Sequence, residues 1–325
     1  MVKVSVILPT YGSSKYLALA LQSLQEQNIS SSYYEIIVVD NAPADHENRL
    51  HTLHNGRAEL NIIYVKEPNT GLHMARHAGA KIASGEILAF VDDDAIYHPS
   101  WLREILSFYS DEKVGCVGGK ILLKWEIDPP HWLDRVPKGF FSQLDLGNES
   151  KELSYPGIYG ANFSIRKQLL FQVGGFNPDS FGATWLGDGE TGLLRKILQT
   201  KYKIIYQPKA ICWHIIPAGR LTLTYVKKRA FNQGACDSYA AFKKNQFGKP
   251  ILLIRCVGLV LYLIFHKIFG FIKKILRNNG FFYHEWRASY AHSRLCYEFN
   301  LFTDTKLRNF VLKDNWLKRN NEINN

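Results

Sequence analysis

The chain predicts an α/β domain, a mostly parallel central sheet with helices on both faces, followed by a helical C-terminal extension. Three observations carry that expectation. Short β-prone runs alternate with amphipathic helical patterns over about the first hundred residues, the signature of right-handed βαβ units. The runs are continuously apolar rather than alternating, as strands buried on both faces are. Polar and acidic residues gather just past the strand ends, where open α/β sheets bind their ligands.

The first run, Val2 to Leu8, leads into Pro9, Thr10, Tyr11 and Gly12, and then into a helical pattern through Tyr16, Leu17, Leu19, Ala20, Leu21 and Leu24. Glu35 to Val39 makes a second strand, ending in Asp40 and Asn41. The third, Asn61 to Val65, precedes Asn69, Thr70 and Gly71 and a helix over about Leu72 to Ala83. The fourth, Glu86 to Val91, ends abruptly in Asp92, Asp93 and Asp94. Three adjacent carboxylates repel one another, and beside a buried strand they need a cation or backbone donors to stay ionised. Mg²⁺ or Mn²⁺ shared with a substrate's phosphates is the simplest compensator; a solvated acidic turn is the plainer alternative. The first turn has neither the dinucleotide-binding nor the P-loop glycine pattern, so a diphosphate bound here must be neutralised mainly by metal on the aspartates.

A chain of 325 residues with 46% hydrophobic and 21% charged residues suits one main folded domain plus an extension, with disorder expected only in the tail, 317–325. Its five scattered cysteines show no CxxC spacing, which points to neither a disulfide framework nor a zinc site and fits a reducing cytosol. The apolar run at the N-terminus is too short for a signal peptide, so a cytoplasmic protein is expected. From Lys249 onward thirteen Lys and Arg face five Asp and Glu, so this last quarter carries eight of the net +11 charges. Such a region can meet nucleic acid or an anionic membrane.

The pattern within it favours the membrane. Residues 251–254 and 256–265 are apolar, interrupted by Arg255 and closed by His266 and Lys267, which falls short of the about 20 apolar residues a spanning helix needs. On a helix, Arg255, Tyr262, His266, Lys273 and Arg277 fall on a common stripe, and Leu, Ile, Val and Phe cover the rest. That is the pattern of a helix over 251–277 lying peripherally in the membrane interface, cations toward the headgroups. A helix docked on the main domain and an inserted segment are the alternatives. Nucleic acid is not an expected partner, because the basic residues border an aliphatic surface with no nucleic-acid module.

Taken together, VSVILPTYG, EIIVVDNAP, EPNTGLHMARHAGAKIASGEILAFVDDD, GANFSIRKQLLFQVGGFNP, LGDGETGLLRKI and YQPKAICWH are very similar to family 2 glycosyltransferases, which have the Rossmann-like GT-A fold. The resemblance covers roughly residues 1–240 and sets the expected domains, 1–240 and a basic amphipathic extension over 241–325. It implies that Pro9, Thr10 and Tyr11 hold the nucleotide base and that Asp40 accepts a hydrogen bond from it; a turn cap is the plainer role for Asp40. Asn69, Gly71 and Arg76 match the N-x-G-x-x-x-x-R pattern beside the nucleotide. Asp92 and Asp94 resemble the D-x-D element, Asp92 meeting the ribose and helping with the metal, Asp94 binding the metal, and Asp93 beside them. His214 matches a histidine that reaches the metal or diphosphate, against the plainer reading of a packed structural residue. Asn162, with Gly160, Ala161 and Phe163, resembles the wall beneath the donor sugar.

An inverting transfer also needs a general base at the acceptor hydroxyl. Asp188 is preferred and Glu190 stands close behind, in a Gly-Asp-Gly-Glu run that departs from the commoner Gly-Glu-Asp form and leaves the register open. Helix capping and the macrodipole give either acid a structural role as well. Trp125, His131, Trp132, Phe140 and Phe141 suit either sugar stacking or core packing. Arg220, Lys227, Lys228 and Arg229 suit either a segment over the diphosphate or a solvated basic face. No Q-x-x-R-W run is present, which favours one sugar per encounter. The resemblance therefore implies an inverting transferase dependent on Mg²⁺ or Mn²⁺. It would move one sugar from a nucleotide-diphosphate sugar, a UDP-sugar first, to a glycan or lipid-linked acceptor in cell-surface polysaccharide synthesis, at the inner face of the cell membrane. An inactive glycan- or membrane-binding scaffold, or a sugar-nucleotide nucleotidyltransferase, are the alternatives; the latter's glycine-rich basic loop is absent.

Overall fold

A computed structural model of the chain describes residues 2–12, 15–43, 61–178 and 187–317. The expected tail disorder over 318–325 lies outside them. Strand β1 (Val4–Thr10) pairs in parallel with β2 (Tyr34–Asp40) on one side and β4 (Ile87–Val91) on the other. Strand β3 (Asn61–Lys66) lies outside β2, also parallel. All residues of β1, β2 and β4 are buried, which is why these segments are apolar without alternation. Helix α1 (Leu17–Gln25) follows β1, and α2 (Leu72–Ile82) packs on β1 and β2.

Beyond β4 the sheet changes direction. The remaining strands are β5 (Ala95–Tyr97), β6 (Val114–Trp125), β7 (Lys151–Glu152), β8 (Asn162–Arg166) and β9 (Lys203–Ile216), and the order across the sheet is β3-β2-β1-β4-β8-β6-β9-β5 with β7 on β9. Strand β8 runs antiparallel to both β4 and β6, while β6 and β9 are parallel. The sheet is therefore mixed rather than mostly parallel: the parallel part is the N-terminal half. Because β8 is reversed, its start meets the end of β4, with Asn162 opposite Val91. Residues just before β8 are thereby brought beside the acidic turn just after β4. Short helices α3 (Trp101–Leu106) and α4 (Lys167–Gln172) and the longer α5 (Gly189–Leu198) complete this layer.

The C-terminal region is helical: α6 (Leu223–Asn245), α7 (Lys249–Ile275), α8 (Phe281–Thr303) and α9 (Thr305–Leu312). Thr222 caps α6 by accepting from the Tyr225 amide at 3.2 Å, and residues 240 and 241, the expected domain boundary, lie inside this one continuous helix. Helix α8 packs against both α6 and α7. Against α8, α7 buries Leu252, Cys256, His266 and Gly270, a stripe at i, i+4, i+14 and i+18.

Two expectations about α7 change here. The Arg255 and His266 part of its polar stripe faces α8 rather than headgroups: the Arg255 guanidinium holds Glu298 through two 2.7 Å contacts, and His266 meets His284 at 2.9 Å. A buried carboxylate partner on α8 draws that stripe inward. The outward face is instead aliphatic and aromatic, with Ile254, Leu261, Phe271 and Ile275 all at least 64% exposed. The segment is also long and apolar enough, by length and composition, to cross a membrane: 27 residues, with a mean hydropathy of 2.1 in its most apolar window. The single arginine at 255 does not outweigh the aliphatic run around it.

Candidate active site

A cleft of about 770 Å³ opens at the carboxyl ends of β1 and β4, within the size range of small-molecule sites. Pro9, Thr10 and Tyr11 form one wall, Tyr11 being 64% exposed at the lip. The start of α2, the acidic turn, Gly160–Ala161 and the start of α5 form the others. His214 on β9, Arg220 and the first turns of α6 close the far side.

The acidic turn is held at each of its three members differently. Asp92 accepts from Arg76 Nη2 at 3.0 Å, and its amide donates to Tyr97 Oη, whose hydroxyl donates in turn to the Ala161 carbonyl. That relay ties the turn to the residues before β8. Asp93 Oδ2 lies 2.6 Å from Thr10 Oγ1, which is also 2.6 Å from the Gly12 carbonyl. One hydroxyl proton cannot serve two acceptors, so a protonated Asp93 donating to Thr10 resolves the geometry. Burial, together with the neighbouring carboxylates, pushes Asp93 up to about 7. Asp94 accepts from Arg220 Nη2 at 2.8 Å and faces His214 Nε2 at 3.2 Å. Burial opposes its charge, yet His214 and Arg220 together hold it below the usual carboxylate range.

His214 Nδ1 is 2.7 Å from the Phe141 carbonyl, to which it can only donate. Burial opposes a charged ring, yet Asp94, 3.2 Å from Nε2, raises His214 above the ordinary histidine value; without its proton Nε2 presents a lone pair whose direction is fixed from the second nitrogen, as in metal-binding imidazoles generally. Arg220 Nη1 lies 3.2 Å from the same Nε2, so imidazole and guanidinium together face the Asp94 carboxylate. Among the described residues no three His, Cys, Asp or Glu side chains gather as a metal group. Asp94 and His214 nonetheless make a two-ligand set, and Mg²⁺ and Mn²⁺ commonly take only one or two protein ligands, the rest coming from substrate phosphates and water. The residues present fit such an ion.

Opposite the acidic turn stand the two acids at the start of α5. Glu190 is 27% exposed at its side chain, lies 3.5 Å from His73 Nε2 and 3.7 Å from Arg76 Nη1, and accepts weakly from the Gly160 amide at 3.3 Å. Burial disfavours its charge, but His73 and Arg76 more than compensate and hold it well below the usual range. Asp188 is 5% exposed, accepts from Asn177 Nδ2 at 2.7 Å and is tightly paired with Arg195, two turns along the same helix. Burial raises it, with Asn177 and Arg195 opposing. The backbone between them needs glycine: Gly189 has φ +49, and a Cβ there would sit 2.4 Å from His73 Nε2. Arg76, 1% exposed and packed over Phe90 and Phe176, bridges Asp92 and Glu190 and so links the two acidic groups.

Three expected site residues sit elsewhere. Asn162 is fully buried; its oxygen accepts from Trp101 Nε1 and its amide donates to the Lys120 and Ala210 carbonyls. It clamps strands β6 and β9 rather than touching a ligand, and Gly160 and Ala161 form the wall instead. Asp40 lies behind the cleft, paired with Lys66 at 2.7 Å and accepting from the Ala42 amide, the turn-cap role. Asn69 turns its side chain to Glu67 at 2.6 Å. The neighbouring Asn41 takes over: its oxygen accepts from the Gly71 amide and its nitrogen donates to the Glu67 and Asn69 carbonyls, fixing the loop before α2. Phe140 and Phe141 pack with Trp286 and Trp125 in the core under α6. His73, Tyr97 and Arg195 were not anticipated; each is a single residue acting through a neighbour, with no period or motif to mark it.

A sheet of this order with a carboxylate turn opening on a cleft at its strand ends defines an α/β enzyme of the GT-A fold. Residues 5–174, more than half of the chain, match Glycosyl transferase family 2, and the chain belongs to that family. It is 24% identical to glucosyl-dolichyl phosphate glucuronosyltransferase of Haloferax volcanii over 279 residues, 78% of this chain and 85% of that one. It is 30% identical to poly(ribitol-phosphate) β-N-acetylglucosaminyltransferase TarS of Staphylococcus aureus over 34% of this chain and 19% of TarS. Among solved structures, mannosyltransferase PcManGT from Pyrobaculum calidifontis, in complex with GDP-Man and Mn²⁺, superposes with a TM-score of 0.57 at 19% identity, covering 95% of this chain and 85% of that one. GalNAc-T7 with UDP, GalNAc and Mn²⁺ gives 0.52 at 18% identity, over 70% and 47%. The protein is a glycosyltransferase with the GT-A fold.

Proposed function

We propose that the protein is an inverting, metal-dependent transferase that moves one sugar from a nucleotide-diphosphate donor, a UDP-sugar first among those to screen, to a lipid-linked or glycan acceptor in cell-surface polysaccharide synthesis. The observation that carries this reading is the set of opposed groups across one cleft: Asp94 with His214 and Arg220 on one side, Glu190 on the other, and Arg76 with Asp92 between. Tyr11 offers a ring at the lip for the base, and Asp92 an acceptor for the ribose. Asp94 and His214 would hold Mg²⁺ or Mn²⁺, which as a Lewis acid favours departure of the diphosphate. Arg220, released from Asp94, is placed to meet the same anionic charge.

The base is assigned to Glu190, not to the preferred Asp188. Both Asp188 oxygens are taken by short contacts to Asn177 and Arg195, so this acid holds the start of α5 in place. Glu190 has only long contacts and faces the cleft, which leaves lone pairs for an acceptor hydroxyl. With a nucleotide sugar and a soluble acceptor, Glu190→Gln should keep nucleotide affinity while transfer falls about a hundred- to ten-thousandfold. Asp188→Asn should cost mainly stability. Full turnover in Glu190→Gln beside a dead but folded Asp188→Asn would reverse the assignment.

The outward face of α7 is read as a lipid contact at the cytoplasmic side of a membrane. Its support is the aliphatic exposure described above, with Lys267, Lys274 and Arg277 exposed along or beyond it to meet anionic headgroups. The Haloferax relative's dolichyl-phosphate-linked substrate favours a lipid-linked acceptor. Retention of the full chain on vesicles containing anionic phosphatidylglycerol tests the contact, and its absence removes it.

A further inference from the structure

A second hollow, about 380 Å³, lies between α7 and α8 and is lined by Arg255, Gly258, Tyr262, Arg287, Arg294 and Glu298 among others. Three guanidiniums face one carboxylate there. Arg255 and Arg294 share that carboxylate, Glu298, which is 1% exposed and also accepts from Ser238. Arg287 has no acidic partner among the described residues. Its guanidinium carbon lies over the Trp286 ring, 4.8 Å from the centroid, and over the Tyr283 ring at 5.2 Å, and its buried Nε has no hydrogen-bond partner. The planar guanidinium carries its N–H groups in a rigid fork, the geometry that grips a phosphate with two hydrogen bonds. Gly258 keeps the floor clear, with nothing within 4 Å of the place a Cβ would take.

Two neighbours narrow the ligand. On one side the hollow adjoins the aliphatic outward face of α7, since Leu259 and Tyr262 belong to its lining. On the other, Tyr290 of the hollow donates to Asp237 at 2.6 Å, and Asp237 lines the active-site cleft. Hollow and cleft are thus linked by one hydrogen-bonded pair of side chains. We infer that this hollow binds a phosphate monoester carried on a lipid, with the phosphate on Arg287 and the tail along α7. The inference deepens the lipid contact proposed above and names its polar half.

A probe that needs no membrane separates the two. Calorimetric titration of the full chain with monomeric short-chain phosphatidic acid should show binding that Arg287→Gln weakens about tenfold, the size of one lost charge-assisted contact, and that Arg287→Lys recovers only in part. Nucleotide affinity should be unchanged in both variants, which verifies the fold. Equal binding of short-chain phosphatidylcholine, or phosphatidic acid binding indifferent to Arg287→Gln, would overturn the assignment. Inorganic phosphate binding as tightly as the short-chain lipid would give the hollow to free phosphate and overturn its lipid half. Loss of vesicle retention with short-chain binding intact would sink the membrane contact alone.

Discussion

The active-site cleft and the α7–α8 pair bury charge in opposite senses. In the cleft, apolar strands stand behind and the carboxylates of Asp92, Asp94 and Glu190 point into an open space, each balanced by a cation such as Arg76, His214 or Arg220. In the helical pair the charges are inside, with Arg255 and Arg294 closed on Glu298, and the aliphatic surface is outside. The first arrangement is poised for an anionic ligand with a cation; the second suits a surface whose solvent is not water. Charge placement thus underlies both proposals, an anionic ligand with its cation for the first and a lipid contact for the second.

The largest effect expected from breaking the cleft side is on chemistry. Asp94→Asn should abolish metal-dependent nucleotide binding and lower transfer about a thousandfold or more, with little change in denaturant midpoint, because Arg220 can turn to water. Arg76→Met should act on the fold instead. It strands Asp92 and Glu190 without their shared cation and should cost about 3–5 kcal/mol by urea unfolding; a loss below about 1 kcal/mol would mean that Arg76 serves the ligand alone.

The helical side separates stability from surface more sharply. Leu252→Ala, at a fully buried position against α8, should cost about 2–4 kcal/mol. Leu261→Asn, at an exposed one, should stay within about 0.5 kcal/mol yet weaken retention on vesicles. If Leu261→Asn proved as destabilising as Leu252→Ala, the outward face would be covered by protein rather than lipid.

The smallest expected effect is a pH dependence at the same seam. Burial lowers His266 to about 4, with His284 and Arg287 adding to the effect, and burial with Lys273 lowers His284. Protonation therefore favours the opened state. The stabilisation is complete above the ordinary histidine value near 6.5 and is lost as pH falls from there through about 4. Melting followed across that window should show the decline, and His266→Phe should flatten it.

Much of this was legible in the chain. The buried strands announce themselves as unbroken apolar runs, and the Asp92–Asp94 triplet marks its own strand end. Strand β8 reads as apolar in either direction, so its reversal, which brings Gly160 to the acidic turn, could not be seen. Asn162 is polar beside a ligand wall, but three buried partners consume its amide, a fact of packing rather than of motif. The stripe of α7 was visible in full; amphipathicity alone does not say which side faces inward, and Glu298, forty-three residues further on, decided it. His73 and Arg195 act only through contacts that folding creates.

The proposed function rests on Asp94 and His214 making the cleft a metal-assisted nucleotide-sugar site. Calorimetric titration of the full chain with UDP, dTDP and GDP, each with Mn²⁺ and with EDTA, tests it most directly. One nucleotide should bind in Mn²⁺ and not in EDTA, and Asp94→Asn should remove the difference. Binding of equal strength in EDTA, or no binding of any nucleotide, would contradict it.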